Sequence, residues 1–599
     1  MKKMKKGIIP IFFACDDKYV KFTMVTLKSI MDNASNDYEY RVYILNTDIK
    51  DETKKMYSSV KKQNFKIEYV NVDSYYKSIE SRLPVRDYYN KTTYFRFFIA
   101  EMFEEYDKAI YIDSDTIVLG DISKFYNHEL ENNYVGACNE QAMLQTKVYG
   151  DYVEEVCGVS RYEYFNAGML LINTKLFRED CVLDQFINLL GVYRFTVTQD
   201  EDYLNVICNH KVLFIDNTWN TEIYGKIPYE EDEINMIHYI MWGKPWHMKE
   251  APLAKFYWEY AKKTPAYHEL QEILANYSEE QVLKDMACAK KLEELALAET
   301  LKEDGYLKLK NQNKIAIHSV DRLRIMKKIR DYELNGRFSE DVEQDPPSRE
   351  IKPGEVDYLK KKVSSKMKTK LAYFVARRFL NKIIREKQMI IKDIEGIENL
   401  KNLETGAILT CNHFNAFDSF AIQVAYEACI TKGKERRKKR FYRVIREGNY
   451  TSFPGFYGFL MRNCYTLPLA SNKKAMMQFM RSTNKILQKG NLVLVYPEQS
   501  MWWNYKKPKP LQKGAFQFAV TANVPVVPCF ITMQDSDIVG KDGFLVQEYT
   551  IHIGKPIKAP EIGNTQEKIS HMMEENYRVW KDIYERIYQE KLVYSRPVA

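Results

Sequence analysis

No run of about 18 apolar residues occurs in the sequence, so a membrane-spanning helix is not expected. No C-x-x-C occurs either, and the ten cysteines follow no even ladder of spacings. That argues against a disulfide framework or a zinc site and fits a reduced, cytoplasmic setting. Without G-x-G-x-x-G, a dinucleotide fold of the usual kind is unsupported. Without G-x-S-x-G, the nucleophile elbow of a serine hydrolase is missing. Tryptophan is scarce, 7 against 44 tyrosines, which points to extensive half-polar surface. Charge of one sign is weak as well: +8 over 599 residues does not call for nucleic acid, and no such partner is expected.

What the chain does have is length and alternation. At 599 residues it exceeds one ordinary core, so two or three domains are expected. Met1–Lys6 followed by Gly7–Cys15 imitates a signal peptide, but the apolar stretch is short and a βα pattern continues after it. It reads as a first strand, Ile8–Cys15, ending at Asp16-Asp17. Val20–Met31 reads as a helix, Tyr40–Asn46 as a strand, Ile49–Gln63 as a helix capped by Asp48, and Lys66–Val72 as a strand. Tyr94–Phe103 reads as a helix and Lys108–Ile112 as the strand after it. The expected class is α/β, with ligands gathered at the carboxyl ends of the strands.

One stretch organises this half: Tyr111-Ile112-Asp113-Ser114-Asp115-Thr116-Ile117-Val118-Leu119. A buried strand delivers two carboxylates one residue apart, and two such groups repel unless a cation sits between them. Mg²⁺ and Mn²⁺ take oxygens of this kind, often beside substrate phosphates. Other segments carry chemistry too: Phe165-Asn166-Ala167-Gly168 before an apolar strand, the acid-rich Gln199-Asp200-Glu201-Asp202, Ile237-His238-Tyr239, and Lys244-Pro245-Trp246. For the acids at a helix start, N-terminal capping is the structural alternative.

Taken together and in order, with Ala14-Cys15-Asp16-Asp17-Lys18-Tyr19, Lys91-Thr92-Thr93-Tyr94-Phe95-Arg96 and Val135-Gly136-Ala137-Cys138, these segments resemble the family 8 glycosyltransferases from about Ile8 to Trp246. The resemblance implies a GT-A fold with a mixed central sheet, a retaining reaction, a UDP-sugar donor and Mn²⁺ (or Mg²⁺). It implies that Asp113, Asp115 and His238 hold the metal, and that Lys244 contacts the diphosphate. Ala14 and Asp16 would face the uracil and ribose, with Arg96 and Asn166 near the sugar and Asp200 also binding the nucleotide-sugar. Where relatives carry Gln between two acids, this chain has Glu201. Glu201 either takes a catalytic part, stabilising or attacking the anomeric carbon, or is a tolerated variant. The relatives' His-x-x-Gly is His238-Tyr239-Ile240-Met241 here, and Lys18 stands in place of an Asn.

Residues 1–270 are therefore read as the glycosyltransferase domain and 271–354 as a helical and charged linker. Leu270–Gly305 and Arg322–Tyr332 have helical spacing without an enzymatic signature, and the proline-bearing turns at 341–355 suggest a boundary near 345–355.

Residues 355–599 form the third segment. Leu359–Lys392 is a basic helical stretch, either a solvated face or a helix on an anionic membrane surface. The run Lys432–Arg440 adds an exposed basic loop. Ala407–Cys411 reads as a strand running into Asn412-His413-Phe414-Asn415-Ala416-Phe417-Asp418, which suits a base oriented by a carboxylate. With Val495-Tyr496-Pro497-Glu498-Gln499-Ser500 and Val524-Pro525-Val526-Val527-Pro528, the region resembles the glycerolipid acyltransferases of the lysophosphatidic acid acyltransferase superfamily. That implies an α/β domain with His413 as general base, Asp418 as its partner, and Glu498 and Ser500 in the acyl-acceptor site. It also implies acyl-CoA or acyl-carrier protein as donor, and work at the inner face of the cell membrane by a cytoplasmic, peripherally bound protein. The usual Glu-Gly-Thr-Arg is Glu498-Gln499-Ser500-Met501, lacking its arginine, so the acceptor is either phosphate-bearing and gripped by Arg443, Arg446 or Lys507, or a sugar or glycolipid hydroxyl. The chain thus reads as two transferases joined. An acyltransferase with a silent front half, or a lipid-binding scaffold without catalysis, stays open at this point.

Overall fold

The computed structural model describes residues 7–77, 79–83, 91–343, 347–429 and 439–595. Most of the basic run Lys432–Arg440 lies outside the described residues. Contacts divide the chain into two compact units, Met1–Leu323 and Arg324–Ala599. The division precedes the proline-bearing turns because the chain from Glu333 onward already bonds within the second unit. Lys507 pairs with Glu333 at 2.7 Å, and Ile351, fully buried, donates its N–H to Glu447 at 2.7 Å.

The first unit is built on a mixed seven-stranded sheet. Its order is Phe65–Asn71, Glu39–Asn46, Ile8–Ala14, Ala109–Ile112, Met169–Ile172, Val135–Ala137 and Val212–Phe214. The first four run parallel, and Met169–Ile172 is antiparallel to both neighbours. Central strands such as Ile8–Ala14 and Ala109–Ile112 are apolar on both faces, as strands covered on both sides must be. A smaller sheet, Thr116–Val118, Met236–His238 and Thr221–Glu222, carries the chain away from the two aspartates.

Three local expectations need correction. The helix expected at Ile49–Gln63 is confined to Asp51–Met56 with a 3₁₀ turn at Tyr57–Ser59; Lys50 stands at its N-cap, and no side chain caps it. Asp48 is therefore not the cap. Lys91–Phe98 winds as 3₁₀ helix before a short α-turn, Ile99–Met102, because it buries Tyr94, Phe95, Phe97 and Phe98 in succession and no single helical face could do so. Ile390–Glu395, whose start falls inside the basic helical stretch, is an edge strand.

The second unit has its own seven-stranded sheet, ordered Ile390–Glu395, Leu545–Ile553, Val526–Val539, Ala407–Thr410, Leu492–Val495, Phe441–Ile445 and Thr466–Pro468. All pairs are parallel except the long hairpin Val526–Val539 with Leu545–Ile553. Ala407–Thr410 and Leu492–Val495 lie side by side at its centre, so the loops after them meet. Among the described residues no helix is long and apolar enough to cross a membrane.

Candidate active sites

Asp113 and Asp115 stand where the buried strand Ala109–Ile112 ends and the chain turns into Thr116–Val118. The helix Val20–Asn33 pins that turn with a buried polar face. Thr23 Oγ1 lies 2.7 Å from Ser114 Oγ, and Thr26 Oγ1 donates to the carbonyls of Ser114 (3.0 Å) and Thr116 (2.7 Å). Thr116–Val118 pairs antiparallel with Met236–His238, which sets His238 opposite Thr116. Donor atoms of Asp113, Asp115 and His238 thereby fall within 4.8 Å of one another.

The donor set suits a divalent ion. His238 Nδ1 faces Asn220 Oδ1 at 3.1 Å, and Asn220 Nδ2 donates to Asn166 Oδ1 at 2.9 Å, which fixes the amide so that its oxygen points at the imidazole. Nδ1 is then the protonated nitrogen, and Nε2, 3.3 Å from Asp115 Oδ1, keeps its lone pair for a metal. Two carboxylates and one imidazole match Mn²⁺ or Mg²⁺ better than a soft ion. Gly168 makes the approach possible, since a Cβ there would collide with the His238 ring.

Positive charge surrounds the carboxylates. Lys244 Nζ pairs with Asp115 and bonds the Tyr239 carbonyl. Burial works against a charge on Asp115, but the Lys244 ammonium outweighs it and holds the carboxyl well below its usual range. Arg96, 3% exposed, reaches Asp113 at 3.2 Å and Asp200 at 3.3 Å, bonds the Ala167 carbonyl, and lies over the Tyr111 ring at 4.2 Å. Glu201 is different. Its Oε2 accepts the Ala167 N–H at 2.8 Å, and burial, with Glu140 nearby, pushes its pKa well up. On the cavity wall it is thereby biased toward its protonated form.

A cavity of about 340 Å³ brings Arg96, Asp113, Asp115, Asn166, Asp200, Glu201, His238 and Lys244 together. Ala14 and Asp16 are not in its lining; Asp16 Oδ1 accepts the Tyr19 N–H at 2.9 Å, and Tyr19 lines the cavity instead.

In the second unit, His413 follows the strand Ala407–Thr410 and Asp418 opens the helix Asp418–Cys429. His413 Nδ1 lies 2.7 Å from Asp418 Oδ2. Asp418, 1% exposed, also accepts the N–H groups of Phe414 (3.2 Å) and Asn415 (3.3 Å) and the Tyr496 hydroxyl (2.6 Å). The imidazole stacks on the Tyr496 ring at 4.1 Å. Asp418 therefore fixes the Nδ1–H tautomer and leaves Nε2 as the basic atom.

Residues 10–250 match the family model of glycosyl transferase family 8, and residues 392–532 match that of the acyltransferases. The chain joins a family 8 glycosyltransferase domain to an acyltransferase domain. A Haemophilus influenzae protein named for glycosyl transfer is 30% identical over 213 residues, which are 35% of this chain and 62% of that protein. General stress protein A of Bacillus subtilis is 25% identical over 283 residues, 43% of this chain and 95% of its own length. The lipopolysaccharide glucosyltransferase WaaO of Escherichia coli is 31% identical over 182 residues, 28% of this chain and 52% of its own. The chain thus spans under two thirds of several curated relatives. A solved structure of the galactosyltransferase LgtC, with donor and acceptor sugar analogs, covers 43% of this chain and 96% of its own at 24% identity and a TM-score of 0.36.

The glycosyltransferase cavity has a wall that no motif announced. Cys288, Ala289 and Leu292 line it from the helix Glu279–Leu301, inside the stretch read as linker. That helix starts at a capping box on Ser278 and Gln281 and buries Leu292, Ala296 and Glu299. Its Glu/Lys/Leu/Ala composition carries no chemistry, so only packing could reveal it. Asn220 and Glu140, which bonds Asn166, were also missed; neither stands in a recognisable spacing.

In the acyltransferase domain Glu498 is 2% exposed. It accepts N–H groups of His413 (3.0 Å) and Lys509 (2.8 Å) and pairs with Lys509 Nζ at 3.5 Å. Burial pushes Glu498 up and Lys509 down, both toward neutrality. Ser500 is fully buried, donating to the Phe338 carbonyl at 2.6 Å. Of the cations considered for an acceptor phosphate, Lys507 pairs with Glu333, Arg446 with Asp341, and Arg443 bonds the Gln423 amide oxygen.

Proposed function

We propose that the chain is a bifunctional transferase. The first domain moves a hexose from a UDP-sugar to a glycan or lipid acceptor in a metal-dependent reaction. The second moves an acyl group from acyl-CoA or acyl-carrier protein to a lipid or glycolipid hydroxyl. The observation that carries the first half is the convergence of Asp113, Asp115 and His238 beside Lys244 in one cavity. Relatives named as lipopolysaccharide glucosyltransferase and galactosyltransferase support a hexose and a lipid-linked acceptor.

A Mn²⁺ or Mg²⁺ ion held by Asp113, Asp115 and His238 would offset the charge that grows on the departing diphosphate. Lys244 adds a second positive charge on the same side. Arg96, fixed between Asp113 and Asp200, holds the Ala167 backbone in place, and Asn166 and Glu201 present polar groups to the sugar. Ala14 and Asp16, at a strand end beside Tyr19, are assigned to the nucleoside.

At the second centre, His413 Nε2 removes the acceptor hydroxyl proton while Asp418 stabilises the imidazolium that forms. The hydroxyl oxygen attacks the thioester carbonyl, the C–S bond breaks, and the departing thiolate recovers the proton from His413. No covalent enzyme intermediate is needed.

The basic helix Val363–Arg385 supports work at an anionic membrane surface on the cytoplasmic side. It buries Leu380 and Ile383 but exposes Val363, Met367, Leu371 and Phe374 among Lys366, Lys368, Lys370, Arg377 and Arg378.

The test is UDP release from a panel of sugar nucleotides, with Mn²⁺ and with chelator, by wild type and Asp115→Ala. Release that needs metal and disappears in the variant supports the reading and names the sugar. Silence across the panel leaves the front half non-catalytic and the acyltransferase as the sole activity.

A further inference from the structure

Part of the stretch read as linker lies within the acyl-acceptor region. Tyr332–Val342 crosses the loop Glu498–Lys509: Phe338 stacks on Trp502 with ring centres 5.5 Å apart, and the Trp502 indole N–H donates to the Glu340 carbonyl at 2.7 Å. Ile329, Tyr332, Val342 and Trp502 are buried in one cluster, so this strap is built into the fold rather than laid over it.

The strap carries a carboxylate into a place suited to an anion. Asp341 pairs with the Arg446 guanidinium, and its Oδ1 accepts the Met501 N–H at 3.2 Å. Arg446 also donates to the Gln499 carbonyl. This cluster is tied to the general base: Glu498 accepts the His413 N–H at 3.0 Å, and the Trp502 backbone N–H donates to the His413 carbonyl at 3.2 Å. A guanidinium and a backbone N–H converging on one anion is a donor set that a phosphate monoester would use. Lys507 and Lys509, on the same loop, likewise meet carboxylates of the protein, Glu333 at 2.7 Å and Glu498 at 3.5 Å.

We propose that Asp341 determines specificity at the acyl-acceptor site: by occupying Arg446 and the Met501 N–H, it fills the anion position with a group of the protein and selects acceptors that are uncharged there. The acceptor class is a neutral lipid or glycolipid hydroxyl. A phosphomonoester acceptor would have to displace a half-buried carboxylate on a strap anchored by the buried side chains of Tyr332 and Val342. The inference rests on the acyltransferase reading and narrows it.

Two probes differing only in the phosphate decide the matter, 1-oleoylglycerol and 1-oleoyl-lysophosphatidic acid. Binding of each to the full chain is followed by tryptophan fluorescence, and acyl transfer from oleoyl-CoA is followed in parallel. The wild type is expected to favour 1-oleoylglycerol. Asp341→Asn should shift the binding ratio toward the phosphate-bearing probe by about tenfold, the scale of one charge-assisted contact. Adding Arg446→Gln to that variant should abolish the shift. A wild type that prefers lysophosphatidic acid, or an Asp341→Asn ratio equal to the wild type's, overturns the proposal. Absence of acyl transfer to either probe would count against the acyltransferase reading, while the binding ratio still decides the role of Asp341.

Discussion

His238 and Asn220 form a pair in which the amide oxygen, 3.1 Å from Nδ1, turns Nε2 toward Asp115. The Asn220 side chain hydrogen-bonds Asn166 and His238 rather than either aspartate, yet it sets which imidazole nitrogen is available. Asn220→Ala should weaken Mn²⁺ binding by about 10–100-fold, as loss of an orienting partner does. Titrating Mn²⁺ in the presence of UDP by electron paramagnetic resonance would show it. Unchanged affinity would mean that His238 is oriented by its backbone alone.

Burial, and then Glu140, pushes the Glu201 carboxyl well above its usual range and favours its protonated form. A neutral carboxyl that accepts the Ala167 N–H resembles the amide of Gln. Glu201→Gln should therefore keep UDP release within about threefold of wild type, whereas a nucleophilic carboxylate would lose several orders of magnitude. Between the ordinary glutamate pKa and its raised folded value, the folded chain holds a proton that the unfolded chain has released. Stability from this group thus falls as pH rises through that window, and Glu201→Gln should flatten that part of the profile of melting temperature against pH.

Asp418→Asn removes the acceptor that fixes the His413 tautomer. Acyl transfer should fall by about 10³–10⁴ while metal-dependent UDP release stays unchanged. The two rates measured on one preparation check this.

Replacing Leu371 and Phe374 by Glu removes exposed apolar groups from a basic helix. Sedimentation with anionic vesicles should drop sharply, and added salt should weaken the wild type in the same assay, since each basic residue contributes roughly 1 kcal/mol near such a surface. The melting temperature should not change, because both side chains are exposed.

Much of the architecture was legible because it is local. Ala109–Ile112 is apolar throughout and ends in Asp113, so the strand end and its carboxylates could be read directly; His413 and Asp418 lie five positions apart across one loop. Less was legible where function depends on distant pairing. His238 reaches Asp115 only through the antiparallel register of Thr116–Val118 with Met236–His238, and no spacing encodes that. The resemblance to a family supplied it instead. Lys91–Phe98 misled because successive aromatics imitate a helix face but are all buried. The helix Glu279–Leu301 and the strap Tyr332–Val342 were passed over as linker because their contributions are a few side chains placed by packing.

The most direct test of two transfer centres in one chain is mass analysis of the product formed from a lipid acceptor, the active sugar nucleotide, Mn²⁺ and an acyl donor. Wild type should add both a hexose and an acyl group. Asp115→Ala should lose the hexose alone in reactions with an acceptor that already bears a free hydroxyl, and His413→Ala should lose the acyl group alone. A wild-type product carrying only one of the two groups, or a single substitution that removes both, would contradict the account.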